Sequence, residues 1–569
     1  MSAPHEGSSS NRASWRTAVA LVVGAAAIGG VGVLLWWWVN ASDPLLLDRP
    51  HDDLYLTLQY HDHGAEGRHL HRLPQSHPLP LVIADASLTL FGRSYAGLML
   101  GQILLAAATM ALLAGLAYSL AGPIAAMLTA LFAAGMPLLL CGALTYDDHL
   151  THILGAAIAI LLLRYSDGLR RPLPALVAGL LAGRLLADGF YPSLGFMAAA
   201  SIALAAIGLA FETWIIDRSG PPIFERSTAV GQRVRRSLPY LGAATALGVG
   251  FLIGAHRQGG YGYFAYIFQG AAAPEFGVVS PWREPLSLLG IPAMIVEYHW
   301  GVPLALATLA GLASLFIRRV PKRYMLALWL LGLIVVASFS PKKNSFYTFS
   351  AAVAAAPIAG IGLSAWRGKI RSIVLGAACL LALAGIGRAA YGLTQKPIGP
   401  ARGELAIRYL QNSPDVVLRP PDRYRDWTKD AAPALVKTVL CNTPSDAEAQ
   451  VGIVGTNAGL GLFRFRACLA APNLRFVPIE YAPADADFSA TYWVSPRELP
   501  TPNIPPLSDL FAFHVRTVAS NLDYAPDLAQ REATLRRLSE LAQGAAPLLV
   551  TPHMAVYAPL PDADFHHEN

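Results

Sequence analysis

The chain has 569 residues, of which 54% are hydrophobic and only 14% charged. Soluble domains carry roughly 25% charged residues, so this composition argues against a wholly soluble globular protein. A net charge of +6 is small for the length and does not point to nucleic acid, and four cysteines (Cys141, Cys379, Cys441, Cys468) exclude a disulfide-built scaffold.

Residues 1–16 are polar and serine-rich, and an apolar run from Thr17 to Val39 follows, closing on Trp36-Trp37-Trp38. A helix of that length crosses about 30 Å of hydrocarbon, and the tryptophans fall where an interfacial aromatic belt would lie. A cleaved signal peptide would have a shorter apolar core and a small-residue cleavage site, so the run is read as an uncleaved membrane helix. Further spans are expected near 96–119, 123–144, 149–165, 172–187, 191–213, 239–256, 301–317, 324–340, 346–365 and 373–393, eleven in all. With the N-terminus inside, seventeen Lys and Arg lie on the cytoplasmic side, against eight in the longer outer loops before the tail. The positive-inside rule then makes the N-terminus cytoplasmic, and an odd number of spans exports everything after about Lys396.

The expected organisation is a cytoplasmic tail at 1–16, a transmembrane domain at 17–395 and an exported soluble α/β domain at 396–569. The outer loops fall at 40–93, 144–149 and 257–300. The tail reads as helix at 403–411, 460–470 and 526–543 and as strand at 450–454, 474–478, 491–494 and 547–550. Cys441 and Cys468 both fall in it; an oxidising compartment would allow them to pair, and spacing alone leaves the pairing open. The glycine-rich stretch Gly452 to Gly461 lacks the G-x-G-x-x-G spacing and is read as tight turning rather than a nucleotide site.

Two outer loops carry acidic pairs beside the membrane. The first contains Asp52-Asp53-Leu54-Tyr55. The second is Thr145-Tyr146-Asp147-Asp148-His149, pinned between two apolar spans. Charge at the bilayer edge is costly unless solvated or paired, so these carboxylates are either hydrated loop residues or functional groups. Two such pairs facing one compartment favour function. Basic candidates are Arg184 near the end of the fifth span, Arg257 in a long aromatic-rich outer loop, and Lys342-Lys343, followed by Tyr347. Arg184 could instead pair with Asp188 one helical turn on, and Lys342-Lys343 could simply snorkel at a helix end.

The order of these features resembles the GT-C glycosyltransferases, in particular the dolichyl-phosphate-mannose protein mannosyltransferase and aminoarabinose lipid A transferase branch. The resemblance covers roughly residues 15–365. It rests on Asp52-Asp53-Leu54-Tyr55 after the first helix and on the prolines at 78 and 80. Leu90-Phe91-Gly92-Arg93-Ser94 follows them, then Asp147 or Asp148 after the third span, and Lys342 to Tyr347 ahead of Pro357. It departs in having Asp53 where relatives carry Glu, and Asp188 near a level where they often carry Lys.

The resemblance implies transfer of a sugar from a polyprenyl-phosphate donor to an envelope glycolipid, glycan or protein at the outer face of a bacterial plasma membrane. Such transfer needs a general base beside the acceptor and cations around the leaving phosphate. It implies Asp52 or Asp53 as base, Asp147 or Asp148 orienting the base, the acceptor or a metal, and Lys342, Lys343, Arg257 and Arg184 at the donor phosphate. Tyr55, His149 and Tyr347 would touch substrate. The histidines at 51, 61, 63, 69, 71 and 77, with His149 and His152, could hold a divalent metal beside the aspartates. No H-E-x-x-H or comparable spacing appears, so hydrated interfacial histidines are the reading preferred. The rival functions are a transporter or lipid flippase and a non-enzymatic envelope scaffold. A transporter would place polar groups on broken helices near the midplane and often shows paired repeats, whereas most acidic candidates here lie in outer loops.

Overall fold

The computed structural model describes residues 7–41, 57–62, 78–144, 149–166, 171–187, 192–218, 242, 244–253, 288–289, 291–292, 295–339, 348–394, 422–443, 449–453, 460–477, 491–496, 546–551 and 554–559. The chain divides into two compact units. Unit 1 holds Met1–Ser42 and Gln102–Ser413; unit 2 holds Asp43–Gly101 and Pro414–Asn569.

Unit 1 is helical. By length and composition, three of the described helices are able to cross a membrane: Thr17–Trp37 within α1 (Gly7–Ala41), Tyr95–Ala121 (α3, which begins in unit 2) and Lys369–Ala390 within a helix reaching Thr394. Shorter apolar helices fill the rest: α4 (Pro123–Ala134), α5 (Pro137–Leu144), α6 (His149–Tyr165), α7 (Pro172–Ala187), α8 (Pro192–Arg218), α9 (Gly301–Ile317), α10 (Arg323–Ala327), α11 (Leu333–Phe339), α12 (Phe349–Ala352) and α13 (Ala355–Ser364), with Lys369–Thr394 as α14.

α13 is buried on every side from Ala355 to Leu363, as an all-round apolar helix should be. It packs between α9 and α4, and α4 packs in turn on α1 and α14. The α9–α13 crossing is close because both sides offer glycine. A Cβ on Gly311 would come within 2.6 Å of the Ile358 carbonyl oxygen, and one on Gly362 would strike the Gly311 carbonyl. A second cluster joins α6, α7 and α8, with α10 laid against α8.

Three expected spans are broken, each at an identifiable place. The run at 123–144 stops at Ala134 and restarts at Pro137, because proline has no N–H to give and disfavours helix at the residue before it. The run at 346–365 breaks at 353–354; Pro357 cannot bond the Val353 carbonyl four residues back, and its ring crowds that carbonyl. The run at 324–340 passes through a π-helical turn at Leu328–Gly332, and a second such turn, Ile295–Trp300, leads into α9.

Within the stretch expected as the first outer loop, 40–93, the structure adds helix. Pro78–Phe91 is a helix (α2), and 57–62 forms a helical turn. α2 starts on Pro78, at the first helical position where a missing N–H costs nothing. It ends at Gly92, whose φ of +94 is a left-handed conformation that glycine adopts without penalty. The Ser94 N–H then donates to the Gly92 carbonyl at 2.8 Å, and the Ser94 hydroxyl accepts from the Gly97 N–H at 3.0 Å, capping α3. The Leu-Phe-Gly-Arg-Ser stretch is thus a tight corner between two helices.

The other part of unit 2 holds α15 (Asp422–Asn442), α16 (Leu460–Ala470) and strands β1 (Ala449–Ile453), β2 (Leu474–Val477), β3 (Thr491–Pro496), β4 (Leu549–Val550) and β5 (Met554–Tyr557). They form one sheet in the order β2-β1-β3-β5-β4. β1 runs parallel to both β2 and β3, whereas β5 is antiparallel to β3 and β4. Phe476, Trp493, Val451 and Val556 are buried along it.

Candidate active site

Of the residues expected to form the site, His149 is the first residue of α6 and Arg184 lies half-buried in the last turn of α7. Asp52, Asp53, Tyr55, Asp147, Asp148, Asp188, Arg257, Lys342, Lys343 and Tyr347 lie outside the described residues. What the structure describes is the framework on either side of them.

In unit 1, α5 ends at Leu144 and α6 begins at His149, so four residues join them, including both aspartates of the second acidic loop. Leu150 packs closely on Gly142, within 2.8 Å of where a Cβ there would stand. His152, one turn into α6, is buried. The π-helical turn Ile295–Trp300 packs on α5 and on α12, and α12 packs on α6. α12 begins two residues after Tyr347. The chain ends that flank Asp147-Asp148 and Lys342–Tyr347 therefore belong to one cluster of packed elements.

That cluster is firmly held. The Trp300 indole N–H donates to the Ala352 carbonyl and the Trp329 indole N–H to the Ser350 carbonyl, both at 2.8 Å. The Ser350 hydroxyl meets the Ser201 hydroxyl at 2.9 Å and reaches the Met197 carbonyl at 3.2 Å. The buried His299 ring stands edge-on to Phe349, centroids 4.8 Å apart. The two π-helical turns and α8 thus all fasten the one-turn helix that follows the Lys342–Tyr347 segment in the chain. Sequence reading missed this scaffold: Trp300 reads as one aromatic of the outer loop at 257–300 and Trp329 as part of an apolar span, and π-helical turns leave no signature in hydropathy, although they recur at functional sites.

In unit 2, the turn at 57–62 follows the first acidic pair by a few residues. Thr57, Leu58 and Gln59 are buried. The Gln59 amide nitrogen donates to the Cys468 sulfur and to the Leu474 carbonyl, both at 3.4 Å. Asp62 accepts two hydrogen bonds from Arg93, and His61 Nδ1 lies 2.7 Å from an Asp85 oxygen. None of these contacts was visible in the sequence, where Arg93 is merely the variable position of the Leu-Phe-Gly-x-Ser stretch. Cys468 is a buried thiol and Cys441 an exposed one, each unbonded to another cysteine. Burial, first, and the nearby Asp62 charge push the Cys468 thiol well above its ordinary range. Among the described residues, no three His, Cys, Asp or Glu side chains converge as metal ligands would.

No protein-family model matches the chain, and no curated protein matches it in sequence. Its fold, however, is similar to that of ArnT from Cupriavidus metallidurans bound to undecaprenyl phosphate. The identity is 13% and the TM-score 0.50, over 99% of this chain and 100% of that one. The apo state of the same enzyme matches at 12% identity and a TM-score of 0.50, over 97% of this chain and 98% of that one. At such identity the likeness is one of fold. It is end to end, and it agrees with the GT-C resemblance carried by the order of the motifs.

Proposed function

We propose that this chain is a membrane glycosyltransferase of GT-C type. It moves a sugar from a polyprenyl-phosphate donor onto an envelope glycolipid, glycan or protein at the outer face of a bacterial plasma membrane. The observation that carries the reading is the end-to-end likeness of fold to an enzyme crystallised with undecaprenyl phosphate. In this reading the chain makes eleven passes, the N-terminus is cytoplasmic, and Pro414–Asn569 and the first acidic loop lie on the outer side.

The chemistry divides among the named residues. Asp52 or Asp53 accepts the proton of the acceptor hydroxyl as that oxygen attacks the anomeric carbon. Asp147 or Asp148 orients the base or the acceptor. Lys342 and Lys343, with Arg257 and Arg184, neutralise the phosphate that leaves on the lipid. Such groups count most where water is partly excluded, and the tryptophan-held α12 gives the lysine segment a fixed root. Tyr55, His149 and Tyr347 line the substrate path. Carboxylates beside cations stay ionised at neutral pH, which a base requires.

The test uses the purified chain in liposomes loaded with radiolabelled undecaprenyl-phosphate sugars and total envelope lipid and protein as acceptors. Transfer of label to an acceptor, with release of the lipid phosphate, is the expected result. Retention of label on the lipid with every donor, together with no binding of undecaprenyl phosphate, would overturn the reading.

A further inference from the structure

α9 runs for 17 residues, about 25 Å at 1.5 Å per residue, from the tryptophan cluster to a corner at its far end. That corner is unusually cationic. Arg318, Arg319, Lys322 and Arg323 fall within six positions, and Arg367 in the link from α13 to α14 is followed by Lys369 and Arg371 in the first turn of α14. No Asp or Glu occurs in 311–328 or 361–376.

The two basic stretches are neighbours in space. The Trp366 indole N–H donates to the Ser314 hydroxyl at 2.9 Å, and the Arg318 guanidinium lies 4.6 Å from the centre of the Trp366 ring. The corner is also rigid. Arg319 and Lys322 both take left-handed backbone conformations, with φ of 51 and 65. The Val320 N–H reaches back to the Leu315 carbonyl at 2.9 Å. The Lys322 N–H donates at 2.7 Å to Glu212, a carboxylate only 2% exposed that ties the corner to α8. Cations at the C-terminal end of α9 also complement its dipole.

Beside the cations is exposed apolar surface. Ile317 is 64% exposed, Phe211 43% and Phe316 40%. Tyr324 stands edge-on to both phenylalanines, at 5.2 and 5.5 Å, under the Arg323 guanidinium. A soluble anion would use the cations and leave this surface wet. A phosphodiester with acyl chains would use both, and basic clusters flanking membrane helices attract acidic lipids.

We propose that this corner binds the headgroup of an acidic phospholipid, in the leaflet opposite the candidate active site. Arg318, Arg319 and Arg323 hold the phosphate, and Phe211, Phe316 and Ile317 lie along the acyl chains.

The experiment reconstitutes the full chain in nanodiscs of phosphatidylcholine with a minority of phosphatidylglycerol. Lipid retained after extraction is then counted by native mass spectrometry. Wild type and R318K/R319K should retain phosphatidylglycerol, whereas R318Q/R319Q should lose it by 10-fold or more. R170Q/R171Q, which removes two charges just before α7 in the sequence, should behave as wild type. If R318Q/R319Q does not fold, R319Q/R323Q, which removes two of the three named guanidinium groups, takes its place with the same expected loss. Equal retention by the neutralised variant, equal loss in R170Q/R171Q, or displacement of the lipid by inorganic phosphate alone would each overturn the proposal. The readout does not involve sugar transfer, so its failure leaves the catalytic reading untouched.

Discussion

Arg93 grips Asp62 with two hydrogen bonds of 2.7 Å, from Nε and Nη2, and donates two more, from Nη1 and Nη2, to the Leu469 and Cys468 carbonyls at 2.9 and 2.6 Å. One side chain thus joins the turn behind the first acidic pair to the end of α16, where Cys468 lies 375 residues beyond Arg93. The Asp62 side chain is 8% exposed, so the pair is substantially desolvated. Removing one partner of such a pair typically costs about 3–5 kcal/mol, because a charge is left buried without compensation. Arg93→Ala should therefore loosen unit 2, read as a lower melting temperature and protease cleavage within 43–101. Arg93→Lys should recover little, since an ammonium cannot reproduce the planar fork.

The same connection governs truncation. Gln59 is buried against Cys468 and Leu474, so the turn behind Asp52-Asp53 takes part of its core from the tail. Deleting Pro414–Asn569 should abolish sugar transfer even if no catalytic group lies in the tail, while unit 1 keeps its donor affinity. Binding of undecaprenyl phosphate by the truncated chain, measured alongside transfer, checks this. Normal transfer without the tail would refute it.

Much of unit 1 was legible because long apolar runs have few alternatives: α1, α3 and α14 stand close to the runs expected at 17–39, 96–119 and 373–393. What hydropathy could not give is where those runs break, since Pro137 and Pro357 act on the backbone without changing the apolar average. α2 leaves no such signal, because its 14 residues fall short of a span. α15 was missed because its opening turns are polar and charged and Pro433 interrupts it. The pairing of 43–101 with 414–569 was illegible for a different reason. Arg93, Asp62 and Gln59 look like solvated loop residues until the fold brings the distant tail to them, and no local pattern encodes that.

Cys468 gives unit 2 a pH dependence. Burial raises its folded thiol pKa above the ordinary value of 9.0. A raised folded value means that the stabilisation is full below pH 9 and is lost as pH rises beyond it, because the unfolded thiol ionises first. Melting of unit 2 should fall above pH 9 in wild type and less steeply in Cys468→Ala. At neutral pH an alkylating reagent should modify the exposed Cys441 and spare Cys468 until the chain unfolds. Equal labelling of both in the native protein would contradict the buried placement.

The Trp300 and Trp329 hydrogen bonds offer a test of the scaffold separate from the chemistry. Trp329→Phe keeps the apolar volume and removes the N–H, leaving the Ser350 carbonyl unpaired at a cost of about 1–3 kcal/mol. If α12 roots the lysine segment, the variant should bind donor lipid more weakly while membrane insertion stays normal. Unchanged donor affinity would mean that α12 does not position the segment.

The most direct test falls on the four aspartates. Aspartate to asparagine keeps the size of the side chain and removes both the negative charge and the ability to take a proton. General-base assistance is typically worth about 100- to 10,000-fold in rate, so loss of the true base should be visible in kcat and not only in KM. Asp147 and Asp148 sit in a four-residue connection whose two ends are fixed by α5 and α6. Substitution there should leave helix packing intact. Asp52→Asn, Asp53→Asn, Asp147→Asn and Asp148→Asn are each reconstituted and assayed for sugar transfer, with melting temperature as the control for folding. At least one change in each loop should reduce transfer 100-fold or more without lowering the melting temperature. A loss seen in the first loop together with unfolding of unit 2 would resemble Arg93→Ala and would indicate structure rather than chemistry. Four variants that transfer sugar at the wild-type rate would remove both acidic loops from the active site.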